Sequence, residues 1–306
     1  MASLKVIKTK IRATVRTRQV TKAMEAVSAA KMRKSQQRAL GARHYAAAAV
    51  AVLSRLAGSR ELVAHALTRP PAAGRRALYI VITSDKGLAG ALNSGVLRGA
   101  LADIQAENAK EVSVIAVGRK AQDFFSKRGY RVEAFHPNTD DISSGTIRQL
   151  VEEAATRFVL DGFATDGVDE VKIVYQNFVS TFEQRPVVRS IFPLSLNELQ
   201  KVVGDISPRR GAFAATPDVL GTSVKTYTIE PNEEEVLKVI LPKLAGIFVY
   251  HALLESQASE HSARMVAMKS ASDKALEMTD ALALRFNKAR QAAITREMSE
   301  IISGTL

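Results

Sequence analysis

Ile247–Ser303, IFVYHALLESQASEHSARMVAMKSASDKALEMTDALALRFNKARQAAITREMSEIIS, runs through 57 positions without a glycine or a proline. As a single helix it would be roughly 85 Å long at the α-helical rise per residue. An ordinary domain has no use for such a helix. The chain opens in the same way. Met1–Leu40 is free of both breakers, and beyond Gly41 the pattern resumes to Ala57. Two very long helices at the two ends predict an antiparallel coiled-coil shaft with a globular insert between them in the chain.

The apolar period supports the shaft. Alternate steps of four and three from Ile240 visit Leu244, Ile247, His251, Leu254, Ala258, His261, Met265, Met268, Ser272, Ala275, Thr279, Leu282, Phe286, Ala289 and Ala293. None of these is Lys, Arg, Asp or Glu, which marks a heptad seam. The next steps reach Arg296 and Glu300, so the seam stops there. The last turns present Met298, Ile301 and Ile302 instead, which predicts a different contact at the tip. The N-terminal helix is less regular. Its apolar positions are Leu4, Ile7, Ile11 and Val15, then Val20, Met24, Val27 and Ala30. Small residues along both seams predict a thin rod.

Between the ends the pattern is α/β. Ala77–Thr83 (ALYIVIT) is a continuous apolar strand of the kind covered on both faces. It runs into a turn, Ser84–Gly90, and a helix from about Ala91. Strands follow at Val112–Val117, Arg131–Phe135, Glu170–Asn177 and Pro186–Phe192. Helices pass through Phe124 and Phe125 and, capped by Ser144, on to about Leu160. Strands alternating with helices predict a small, largely parallel sheet. Pro70–Gly74 reads as a linker, and Asn197–Tyr227, with three glycines and two prolines, as a long irregular loop.

Composition narrows the function. The chain has 306 residues and no cysteine, which excludes disulfides, thiolate metal sites and cysteine nucleophiles. No uninterrupted apolar run approaches the ~18–20 residues of a membrane span. The first thirty residues lack the apolar core of a signal peptide, and their heptad-like spacing marks them as structural. The net charge of +12 is concentrated in residues 1–60, where 6 Lys and 8 Arg face one acid, Glu25. A solvated helix face, a nucleic-acid stripe and a docking face for an acidic protein all fit that charge. With Tyr45 the only aromatic in the segment, single-strand stacking is not provided for.

Enzyme signatures are thin. Gly87 and Gly90 after the first strand match neither the dinucleotide fingerprint nor the phosphate loop, so they are expected to serve a tight bend. The five histidines show no metal-ligand spacing, and His251 and His261 fall on the seam as core residues. The acid pairs Asp140–Asp141 and Glu152–Glu153 show no base beside them in the sequence.

Four stretches together resemble the gamma subunit of rotary F-type ATP synthases. They are Thr21–Lys34 (TKAMEAVSAAKMRK), Thr83–Asn93 (TSDKGLAGALN), Leu254–Asp273 (LESQASEHSARMVAMKSASD) and Phe286–Ile301 (FNKARQAAITREMSEI). The resemblance implies a central-stalk rotor with no cofactor of its own, one copy per complex. It would have shaft helices at residues 1–60 and 232–306 and a Rossmann-like foot at 75–231. The implied partners are the alpha and beta subunits, an epsilon-type subunit and the membrane rotor c-ring. The implied location is peripheral, on the cytoplasmic side of a bacterial inner membrane. The resemblance places Lys22, Met24 and Lys31 at acidic beta-subunit loops. It places Arg290, Gln291 and Thr295 at an upper catch with the beta subunits, and Ile301 and Ile302 in an apolar bearing. Tyr227 and Glu230 would lie on the rotor-ring side of the foot. Glu260 and Arg264, four residues apart, would stiffen the shaft. Three positions depart from the family pattern. Arg296 stands where an amide is expected, Ala89 where many members carry cysteine, and the Asn197–Tyr227 loop is long. The rival readings are a basic nucleic-acid-binding coiled coil and a nucleotide-dependent α/β enzyme.

Overall fold

Arg76–Ile82 (β1) is the middle of a five-stranded sheet, and six of its seven residues are fully shielded. A computed structural model describes residues 4–56, 59–69, 76–107, 109, 111–159, 167–195 and 232–304, apart from the side chains at 40, 42–56 and 304. The Pro70–Gly74 linker, the Asn197–Tyr227 loop, Tyr227 and Glu230 lie outside the described residues. In chain order the elements are α1 (Leu4–Leu56), α2 (Arg60–Ala64), a 3-10 turn (Ala66–Thr68), β1, α3 (Leu92–Glu107), β2 (Glu111–Val117), α4 (Arg119–Ser126), β3 (Arg131–His136), α5 (Ser144–Val159), β4 (Glu170–Phe178), β5 (Gln184–Phe192) and α6 (Glu233–Gly304).

The strand order is β3-β2-β1-β4-β5. β1 pairs in parallel with β2 and β4, β2 with β3, and only β5 is antiparallel. The fold is the expected one: N- and C-terminal helices paired antiparallel, with a Rossmann-like α/β insert between them in sequence. The expected strands recur within two residues. The cap of α5 differs, since Ser143, not Ser144, accepts from the backbone N–H of Thr146 at 3.0 Å.

The chain divides into two compact units. One is Met1–Ala30 with Arg264–Leu306, and the other is Lys31–Ala263.

In the larger unit the two-residue period of β1 splits its side chains between two cores. Leu78, Ile80 and Ile82 join residues of α5 (Leu150, Ala154, Phe158) and of the first third of α6 (Leu241, Ala245, Phe248). Ala77, Tyr79 and Val81 join α3 and α4 through Val96, Ala100, Ala121 and Phe125. The sheet is therefore the middle of three layers. α6 also carries an 18-residue window with mean hydropathy 1.6, apolar enough to span a membrane by composition, and half of that window is buried inside the protein. The expectation drawn from uninterrupted apolar runs passed over this window because scattered polar residues break it up. Burial of its aliphatic face accounts for its hydropathy without a bilayer. Pro242 is accommodated inside α6.

From Leu244 to Met268 every residue of α6 is buried or half-buried, and from Lys269 on burial follows the predicted seam, with Ala271 and Ala283 the off-seam positions that are also half-buried. All sixteen positions from Ile240 to Ala293 are buried or half-buried, and Arg296 and Glu300 are exposed. The N-terminal helix differs from expectation. Val15, Val20 and Val27 are exposed (37%, 58% and 55%), as is Ala30. Shielded positions run instead through Leu4, Ile7, Ile11, Thr14, Thr21, Glu25, Ser28, Met32, Ser35 and Ala39. These steps alternate three and four, with Arg18 the one exposed step. Leu4, Ile7 and Ile11 are shielded as expected, and from Thr14 on the seam of α1 is carried largely by hydroxyl-bearing and small residues. Thr14 and Thr21 turn their hydroxyls onto the carbonyls of Lys10 (2.9 Å) and Thr17 (3.0 Å), so these two positions hide their polar atoms against their own helix.

Candidate interaction faces

In the smaller unit, α1 contributes Lys22 and Met24, and α6 contributes the remaining candidates. Lys22 is exposed and its Nζ lies 3.1 Å from Glu25, while Met24 is half-buried. From Ile294 to Ser303 every residue of α6 is exposed. Within that stretch Ile294, Met298, Ile301 and Ile302 follow helical spacing, with exposures of 45%, 58%, 67% and 62%. An apolar stripe turned to solvent in the last turns of a helix is a candidate contact surface. The sequence reading found Met298, Ile301 and Ile302. Ile294 was missed because it lies off the seam, one residue past Ala293. Arg290, Gln291 and Thr295 are all exposed, and the Thr295 hydroxyl donates to the Gln291 carbonyl at 3.0 Å. The structure thus brings the catch and tip candidates together on one exposed stretch of helix.

Lys31 belongs to the larger unit and is already engaged. Its Nζ lies 2.5 Å from Asp140 Oδ2, and His261 Nε2 lies 3.1 Å from Asp140 Oδ1. Arg38 donates to the Asp140 carbonyl and pairs with Asp141 at 3.3 Å. Gln257 donates to the Thr139 carbonyl at 2.6 Å. The loop between β3 and α5 is in this way tied to both α1 and α6. Burial would raise the Asp140 carboxyl, but Lys31 and His261 outweigh it and hold the group below the usual carboxylate range. The expectation that the acid pairs stand alone is therefore corrected. Lys31, Arg38 and His261 lie within reach of Asp140–Asp141. His136 lies 2.9 Å from Glu153, and Arg148 lies 3.8 Å from Glu152. Separations of over a hundred residues hid the first set. His251 and His261 are buried, as their seam positions imply.

The turn after β1 is closed on itself. In a doubly wound sheet a ligand would sit at the carboxyl ends of β1 and β4, where the strand order reverses. Here the first amides of α4 are taken by the turn. Arg119 N–H donates to Asp85 Oδ1 (2.9 Å), Lys120 N–H to the Ser84 carbonyl (3.3 Å) and Ala121 N–H to Thr83 Oγ1 (2.8 Å). Asn93 accepts from the Ser84 N–H at 3.0 Å, and Asn138 donates to the Thr83 carbonyl at 2.8 Å. Gly118, at φ 91°, comes so close to this turn that an added Cβ would lie 2.1 Å from the Thr83 carbonyl oxygen. Its role is close packing of backbone on backbone, and the N–H groups at the start of α4 are occupied by this turn.

A second polar cluster fills the other end of the sheet. The buried Lys172 ammonium pairs with Asp103 at 2.9 Å and with Glu107, and the Tyr79 hydroxyl donates to Asp103 at 2.8 Å. Burial would lower the Lys172 ammonium, yet Glu107 and Asp103 hold it above its ordinary value. Burial and Asp103 push the Tyr79 phenol up. Each charge has a partner, so the cluster fixes α3 on the sheet.

Comparison with known proteins gives a consistent result. Residues 3–306 match the family described as ATP synthase. An ATP synthase gamma chain of Pelotomaculum thermopropionicum is 39% identical over 308 residues, spanning 99% of this chain and 98% of the relative. One from Staphylococcus haemolyticus is 36% identical, spanning 100% and 99%. Among solved structures, a chain of the Euglena gracilis mitochondrial ATP synthase (OSCP/F1/c-ring) aligns with a TM-score of 0.64 at 20% identity, covering 99% of this chain and 93% of that one. A chain from the central stalk and c-ring of the Tetrahymena thermophila mitochondrial enzyme aligns with a TM-score of 0.57 at 22% identity, covering 83% and 99%. These two likenesses concern the fold.

Proposed function

The chain belongs to the family of ATP synthase gamma chains, and we propose that it is the central-stalk rotor of an F-type ATP synthase. In this reading it carries torque between a membrane c-ring and a ring of alpha and beta subunits, and it couples proton flow to ATP synthesis. It is one non-catalytic subunit per complex, peripheral on the cytoplasmic side of a bacterial inner membrane, and it also contacts an epsilon-type subunit. Residues 1–60 and 232–306 make the shaft and 75–231 the foot. The observation that supports this most is the union of the two chain ends in one helical unit, ending in ten exposed residues with an apolar stripe.

The contacts proposed are Lys22, Met24 and Lys31 with acidic beta-subunit loops, Arg290, Gln291 and Thr295 at the catch, and Ile301 and Ile302 in the bearing. Tyr227 and Glu230 are assigned to the rotor-ring side. A single asymmetric shaft touches each member of a surrounding ring differently, and differential contact is what separates otherwise equal conformational equilibria. Exposed ion pairs contribute only about 0–1 kcal/mol each. Weak contacts suit a moving part, since a tight one would hold the shaft at a single angle.

The test reverses Lys22 and Arg290 to Glu together in the reconstituted complex. Lys31 is left alone because its reversal would also repel Asp140. Folding stays intact by circular dichroism, while proton pumping per ATP hydrolysed falls. DNA binding by the isolated chain is measured at two salt concentrations in parallel. Unchanged coupling, together with salt-dependent DNA affinity that the double variant loses, would overturn the reading in favour of a nucleic-acid-binding coiled coil.

A further inference from the structure

The loop between β3 and α5 is held by charges from three separate stretches of chain. Lys31 and Arg38 come from α1, Asp140 and Asp141 from the loop itself, and His261 from α6, with Gln257 adding a neutral hydrogen bond. Asp140 is the hub. One carboxylate oxygen faces Lys31 at 2.5 Å and the other faces His261 at 3.1 Å. The His261 side chain is only 7% exposed, whereas that of Asp140 is 57% exposed. The histidine is therefore fixed within the protein, and the loop carboxylate comes to it from the solvent side. We propose that this loop is a pH-sensitive clamp fastening the α/β domain to the two long helices, with protonated His261 as its tightening element.

The proposal follows from the chemistry of the pair. A protonated imidazole adds a full positive charge to its hydrogen bond with a carboxylate, whereas a neutral ring has only its N–H to offer. Loss of the His261 proton removes that charge and leaves Asp140 to Lys31 and Arg38. Along α6 the charged neighbours of His261 in sequence are Glu255, Glu260 and Arg264; Asp140 and Asp141 of the loop favour its proton, Lys31 and Arg38 of α1 oppose it, and the His136–Glu153 pair flanks the same loop. The sign is fixed on both sides. The histidine contribution is complete when His261 is protonated and is lost as that proton leaves with rising pH. The Asp140 contribution is lost only as pH falls below the usual carboxylate range, because Lys31 and His261 hold that carboxyl low against burial. The clamp is tightest in the mildly acidic interval and loosens toward alkaline pH.

Hydrogen exchange of the Thr139–Ile142 amides in the full chain, corrected for intrinsic rates, tests this at mildly acidic and mildly alkaline pH. Protection in the unmutated protein is expected to fall about three- to fivefold on going alkaline, the size of one partly exposed ion pair. In His261→Gln it should be the same at both pH values. A wild-type-sized drop in His261→Gln would overturn the clamp. His136, paired with Glu153 at the start of the loop, and His251, beside Glu255, are present in both proteins, so the comparison with His261→Gln cancels their contributions. A second measurement does not depend on how well that variant folds. The His261 ring resonance is titrated with and without Asp140→Asn, and removing the carboxylate should shift its midpoint to lower pH. An unmoved midpoint refutes the pairing. Neither arm uses partner subunits, so the clamp and the rotor assignment fail separately.

Discussion

The sheet and the helical pair bury their interiors with opposite chemistry. β1 shields six consecutive residues by placing alternate side chains, all aliphatic but Tyr79, into two cores, one on each face. In the smaller unit α1 shields a single stripe, and its best-buried positions there are Thr21 and Ser28, facing a segment whose own buried positions are Met268, Ser272 and Ala275. Apolarity reports burial faithfully where an element is covered on both sides. In a two-helix rod most of each helix faces water, and the seam needs side chains short enough for close approach. Threonine and serine meet that need because they can return their hydroxyls to the preceding turn.

The first way to break this comparison is at the sheet, where the effect should be largest. Ile80 is fully buried and sits in register with Ile115 on one side and Ile173 on the other. Ile80→Ala leaves a cavity among three layers and should cost about 3–4 kcal/mol, within the range for buried aliphatics. Urea unfolding followed by circular dichroism measures it. A loss below about 1 kcal/mol would mean that the sheet core collapses around the void, contrary to its close packing.

A smaller effect is expected at the seam. Ser28 is 3% exposed in α1, so Ser28→Leu must push the helices apart or leave its rotamer. Overpacking of this kind costs about 1–3 kcal/mol. The rod should lose thermal stability while the α/β unit keeps its own transition. Stabilisation by Ser28→Leu would show that the position faces free space and that the stripe of small residues is not the contact.

These differences explain what the sequence disclosed. The sheet was legible strand by strand because unbroken apolar runs such as ALYIVIT have one physical use. The seam of α6 was legible because Leu, Ile, Met and Phe recur on it and charge does not. On α1 the same search for apolar residues chose Val20 and Val27, one residue before each true seam position, since Thr21 and Ser28 score as polar. Of the candidate faces, the apolar tip was readable from the point where the seam fails at Arg296. The partners of Asp140 were not, because Lys31 and His261, more than two hundred residues apart in the chain, meet it only once the β3–α5 loop is placed between their two helices.

The smallest effect expected is the one that separates the two descriptions of α1. Val27 is 55% exposed and Ser28, beside it, is buried. Were apolar residues the seam, Val27→Ser would remove a core side chain and cost as much as other buried truncations. With Val27 on the outer face, the change should stay within about 0.5 kcal/mol, the usual scale for exposed sites. A slight loss could still come from helix propensity, where valine and serine differ little. Melting the isolated chain with Val27→Ser beside Ser28→Leu makes the contrast internal to one turn of helix. A large loss from the first and none from the second would return the seam to Val20, Met24 and Val27. If Val27→Ser is silent in the isolated chain yet weakens the reconstituted complex, its exposed side chain belongs to a contact with a partner subunit.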